Sequence, residues 1–164
     1  MIGADVGNPA LDSKAENAYQ GLLRRANLYH LTQKVFGNGG SHLKSFYEEK
    51  EKCNAREVSS RPFTREIDIT RIVGSVNKAE DFDEFFRPKK PQSTYTSWKN
   101  IYKVWYSKGH FPPVRLYELQ GEYYVEDGHH RISVMKTIGV DQVRSEVKKF
   151  QVPDSELKED QVPC

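Results

Sequence analysis

Cysteine is scarce in this chain: Cys53 and Cys164 are the two found in 164 residues. They lack metal-ligand spacing, so neither a structural zinc site nor a disulfide framework is expected, and a reducing cytoplasm is the expected compartment. Long apolar runs are missing as well. Nowhere do about 18 apolar residues stand together, and Met1 to Pro9 has no basic flank followed by an apolar stretch, so neither a membrane span nor a signal peptide is expected. Charge of one sign is not in excess. Twenty-five Lys and Arg against 23 Asp and Glu leave a formal +2, too little for bulk electrostatic attraction to nucleic acid, so any such site must be a local patch. No internal repeat is present, which excludes solenoid and propeller architectures.

What is present suits one core with an appendage. The hydrophobic fraction of 37% is low and the charged fraction of 29% high for a globular chain, while 12% aromatic residues argue against wholesale disorder. The expected fold class is α+β: a helical extension and linker over residues 1–60, a small mixed-sheet domain over 61–150, and a tail over 151–164.

From Ser13 to Phe36 the apolar residues Leu22, Leu23, Ala26, Tyr29 and Val35 recur at helical spacing, and Gly37-Asn38-Gly39-Gly40 is a helix stop. Ser41 is a candidate cap for a second helix reaching about Cys53, and Asn54 to Thr64 reads as a linker. This helical arm packs on the domain or on a partner; as a DNA-reading helix pair it has a poor turn and a poor basic face. Arg65 to Ile72 alternates polar and apolar side chains, which predicts one half-buried strand ended by Gly74-Ser75. Asn77 to Pro91 reads as an exposed loop or short helix anchored by Phe82, Phe85 and Phe86. Trp98, Ile101, Tyr102 and Trp105 form a helical stripe, read as core rather than as a base-stacking platform. Val114 to Leu119 and Glu122 to Glu126 flank Gln120-Gly121, the clearest hairpin signal. A helix through Ile132, Val134, Met135 and Ile138 then stops at Gly139, and a last strand spans Gln142 to Lys148.

The chemistry centres on Asp127-Gly128-His129-His130-Arg131, where a strand turns into that helix. Gly128 allows backbone angles closed to other residues and close approach of a ligand. The first helical turn presents unpaired N–H groups at the positive end of the dipole, which favours an anion. Arg131 adds a forked cation suited to phosphate, and His129 and His130 add donors that titrate near neutrality. Asp127 is placed to hold a metal ion or take a proton from a substrate hydroxyl. Two plainer readings stand beside this one: Asp127 caps the helix while Arg131 makes a surface ion pair, or the two histidines serve a mononuclear metal, for which no third ligand stands at suitable spacing.

Pro112 to Val147, with the strand Glu66 to Ile72, resembles the ParB/sulfiredoxin superfamily over a little more than half the chain. That superfamily's signature of strand, Gly, two polar residues, Arg, helix and Gly is matched by Val125 through Gly139. The resemblance implies a turn that grips nucleotide phosphates through Gly128, His129, His130 and Arg131. His129 stands where sulfiredoxins carry a catalytic Cys, so sulfinic acid repair is not expected. Chromosome-partition members resemble Gly-Glu-Arg-Arg here and continue into a helix-turn-helix, so centromere reading is not expected either. The Asp-Gly-His-His-Arg wording is most similar to the branch containing free serine kinases. That likeness implies Asp127, with His129, as catalytic candidates, Glu66 or Asp68 as a second acid or substrate contact, and a nucleotide (ATP, ADP or CTP) with Mg²⁺ as cofactor.

The expected function is nucleotide binding, with phosphoryl transfer to a small hydroxyl substrate or nucleotide hydrolysis. One alternative is a DNA-associated accessory protein in which Arg87, Lys89, Lys90 and Lys99 touch the backbone and the nucleotide acts as a switch. Another is a non-catalytic module that forms a homodimer through its N-terminal helices.

Overall fold

The fold grows from a long helix, a mixed sheet and two further helices in a computed structural model that describes residues 8–36, 42–58 and 61–153. Helix α1 (Pro9–Phe36) starts under an Asn8 side chain that accepts from the Ala10 amide, and it buries Ala15, Tyr19, Leu22 and Ala26 along one stripe. Along its last turns Leu28, Leu31 and Val35 are exposed, while Tyr29 packs on Phe85. Strand β1 (Lys44–Ser45) leads into the short α2 (Phe46–Lys52), and β2 (Arg56–Glu57) follows. The second helix is therefore shorter than expected, and its expected cap, Ser41, lies outside the described residues.

The single strand expected from Arg65 to Ile72 is two strands. Strand β3 (Phe63–Asp68) ends where the Asp68 carboxylate accepts from the Thr70 amide at 2.8 Å and the Thr70 hydroxyl at 2.6 Å, closing a 3-10 turn over Ile69–Arg71. The chain then re-emerges as β4 (Ile72–Ser75) in another part of the sheet. Helix α3 (Pro91–Lys108) begins on a proline, suited to the first helical turn, and ends at Gly109 in the left-handed conformation. Strands β5 (Val114–Leu119) and β6 (Glu122–Asp127) form the expected hairpin, with Gln120 and Gly121 both at positive φ as a type I′ turn requires. Helix α4 (His129–Ile138) and strand β7 (Gln142–Gln151) complete the chain.

The sheet order is β1-β4-β6-β5-β7-β2, with β3 also paired to β7. β4 runs parallel to β6 and β5 parallel to β7; the hairpin and the β2 and β3 pairings are antiparallel. This is the expected α+β class with a mixed sheet. β1 and β2, which come from the stretch read as extension and linker, both join the sheet. One sheet face buries Ile67, Leu116, Val125 and Val147 against Ile132 and Met135 of α4. The other buries Tyr124 and Phe150 around Phe46, and a third cluster joins α1, α3 and α4 through Tyr19, Leu22, Trp98, Tyr102 and Val134. Cys53 is buried in the second cluster. Among the described residues no helix is long and apolar enough to cross a membrane.

Candidate functional site

Strand β6 ends at Asp127, and Gly128 makes the turn with φ 109° and ψ 20°. A side chain there would be strained by the backbone and would also place its Cβ 2.6 Å from Val114 Cγ1, so glycine is required twice over. The first helical bond of α4 runs from the Ile132 amide to the Gly128 carbonyl at 2.9 Å. No side chain caps this end. The amides of His129, His130 and Arg131 therefore open the helix without an intrahelical or side-chain cap acceptor, at its positive end.

The two histidines differ in environment. His129 is buried, stacks on Phe82 at 5.8 Å between centroids, and places Nε2 2.7 Å from Ser75 Oγ. That hydroxyl oxygen already accepts from the Lys78 amide at 2.8 Å and the Asn77 amide at 3.2 Å. Its proton is thus directed at His129 Nε2, which requires the neutral imidazole protonated at Nδ1. Burial, and then the nearby Lys78 ammonium, pushes the His129 pKa down to about 4, in agreement. His129 is accordingly a buried tie between α4 and the end of β4, whereas the expected catalytic or phosphate-binding role needs an exposed ring nitrogen. Ser75, itself fully buried, is not an accessible nucleophile. His130 meets Phe82 edge-on, and its Nδ1 is buried without a hydrogen-bond partner. Burial and Lys78 lower its pKa too.

Arg131 is already engaged. Its guanidinium donates to the Pro112 carbonyl at 2.7 Å, the Pro113 carbonyl at 3.1 Å and the Asp127 carboxylate at 2.6 Å. Three of its five donors are taken, and two remain for a ligand. Asp127 is exposed and pairs with Arg131 instead of capping α4, so of the plainer reading the Arg131 ion pair is present and the Asp127 cap is not. The proposed acids do not join it as one cluster. Glu66 borders a cavity of about 260 Å³ with Trp105, Phe111, Met135 and Arg144, while the Asp68 carboxyl is held below its usual range by the Thr70 hydroxyl and amide. Among the described residues no three His, Cys, Asp or Glu side chains gather as metal ligands.

Two of the cations expected to touch DNA are held in close ion pairs. Arg87 is buried, its Nε bonded to the fully buried Asp83 at 2.6 Å and its guanidinium against the Tyr29 and Phe85 rings. It is not available to a nucleic-acid backbone. Lys99 is paired with Glu16 at 2.8 Å; Lys90 is exposed and 4.0 Å from Asp81, and Lys89 is half-buried.

Neither a protein-family model nor a curated protein matches this chain. Among solved structures, sulfiredoxin from Arabidopsis thaliana is similar over 55% of this chain and 89% of its own, at 19% identity and a TM-score of 0.41. Likeness at that level transfers neither an activity nor a site residue.

Sequence reasoning missed Ser75 and Lys78. Ser75 was visible as a strand end and nothing more, because its role depends on a contact with His129 across 54 residues. Lys78 sat in a loop of mixed charge, and what distinguishes it is its proximity to both imidazoles.

Proposed function

We propose that this protein binds a nucleotide, with its phosphates seated on the first turn of α4. The observation that carries the reading is that this uncapped helix start lies beside a buried, unpartnered His130 Nδ1 and within the electrostatic reach of Lys78. An anion satisfies the open amides, and Lys78 supplies permanent charge that the neutral histidines do not. Gly128 lets the phosphate approach the main chain, and Arg131 Nη2 stands beside Gly128, 3.1 Å from where a Cβ would lie. A phosphate drawn onto Arg131 competes with Asp127 and releases that exposed carboxylate. Asp127 is then the residue of the corner able to take a proton from a hydroxyl substrate or to meet a Mg²⁺ carried on the nucleotide's own phosphates. His129 positions the turn and does not touch the ligand.

The test is a thermal-shift screen of ATP, ADP, CTP and GTP, with and without Mg²⁺, followed by calorimetry on the best ligand. At a hundredfold excess over Kd a native-state ligand adds about 2.7 kcal/mol, a shift of several degrees in Tm. Lys78→Gln, at an exposed position, is expected to weaken binding about tenfold, the scale of one charge-assisted contact. Absence of stabilisation by every nucleotide, or an unchanged Kd in Lys78→Gln, contradicts the reading.

A further inference from the structure

At the other end of α4, roughly 10 Å along its axis from the first turn, a separate cavity of about 240 Å³ is lined by Leu22, Arg25, Phe85, Arg87, Lys136 and Thr137. Its charged lining is all cationic. Arg25 comes from α1, Arg87 from the loop before α3 and Lys136 from α4, so three distant parts of the chain bring one sign of charge to one place. Such convergence is unfavourable unless an anion offsets it.

Arg87 is the informative member. Its residue is 9% exposed, its Nε is fixed on Asp83, and its plane is held by Tyr29 at 4.8 Å and Phe85 at 4.6 Å. Nη2 nevertheless has no hydrogen-bond partner. A buried guanidinium donor without an acceptor is rare and costly. Lys136 lies over the Phe86 ring at 5.2 Å and donates to the Ile72 carbonyl at 3.3 Å, with burial lowering its pKa. The acids within reach are occupied or to one side. Asp83 lies under Arg87, Asp68 acts on Lys136 from the end of β3, and Glu84 accepts from the Tyr29 hydroxyl. None of them lines the cavity.

We propose that this cavity is an oxyanion site for inorganic phosphate or the phosphate group of a small ester, distinct from the nucleotide seat. A rigid fork that needs an acceptor, a desolvated ammonium and a rim guanidinium match a tetrahedral oxyanion, and Leu22 and Phe85 form an apolar wall. The volume is below that of ordinary drug-sized pockets, which suits a phosphate or a short phosphomonoester and not a nucleoside triphosphate.

The experiment titrates the full chain with inorganic phosphate, with glycerol 3-phosphate and with acetate as control, following the side-chain Nε–H signal of Arg87 by NMR. The expected result is a saturable shift with phosphate, weakened about tenfold in Lys136→Gln and in Arg25→Gln and unchanged in Lys78→Gln. Tighter binding of the ester identifies an esterified ligand, and equal or weaker binding identifies the free ion; either supports the site. An Arg87 signal that does not move, or that responds identically in both cavity variants and the wild type, overturns it. The Lys78→Gln arm separates this outcome from any failure of the nucleotide seat.

Discussion

At His129, burial and a neighbouring cation act in the same direction, and the consequence is a pH-dependent stability. The imidazole titrates near 6.5 when unfolded and near 4 in the fold, so the unfolded chain binds more protons between those values. The stabilisation is complete above pH 6.5 and is lost as pH falls toward 4, a loss of about 3 kcal/mol in all. His130, shifted the same way, adds to it. Urea unfolding at pH 7, 5.5 and 4 measures the slope, and His129→Asn is expected to flatten it; an equal slope in the variant refutes the buried neutral assignment. Arg131 carries a second prediction. Because it binds the Pro112 and Pro113 carbonyls, Arg131→Ala is expected to destabilise the fold by about 1–3 kcal/mol, read as a lower urea midpoint, rather than to leave it intact. Much of this corner was legible as residues, since a Gly between a strand and a helix has a narrow range of explanations. The inward turn of His129 was not, because it rests on Ser75 and Phe82, which are remote in sequence.

Among the elements, periodicity identified the long pieces and failed on the short ones. The β5–β6 hairpin and α4 stood out because alternation, a Gln-Gly turn and a glycine stop all agree. The break at Asp68 escaped because Ile67 and Ile69 still alternate as in a strand while a side-chain bond to Thr70 turns the backbone. In α1 the packed stripe runs through Ala15 and Tyr19, which carry little apolar signal; the Tyr19 hydroxyl also donates to the Pro91 carbonyl at 2.6 Å. Two-residue strands have no period to detect. The attachment of β1 nevertheless has a sharp requirement at Gly74, where a Cβ would stand 2.4 Å from Tyr124 Cδ1 and 2.5 Å from the Lys44 carbonyl oxygen. Gly74→Ala is expected to detach β1 while the central strands hold. Hydrogen exchange should show lost protection at Lys44 and Ser45 with β5 to β7 unchanged; retained protection there contradicts the close-packing argument.

For the whole molecule, the decisive feature is that the chain's first third is built into the same body as the sheet. β1 and β2 extend it, and α1 packs on α3 and α4 through Tyr19, Leu22 and Trp98. No composition shift announces this, because the contacts join segments far apart in sequence. The result is a sheet that places β6 behind Gly128 and a helical layer that packs on α4 in front of it, leaving uncapped the first turn of α4, where we propose the phosphates sit. The most direct test is a backbone ¹⁵N–¹H spectrum of the full chain titrated with ATP and Mg²⁺. The account predicts saturable shifts led by the amides of His129, His130 and Arg131, with Lys78 following. Shifts confined to other parts of the chain, or none at saturating nucleotide, contradict it.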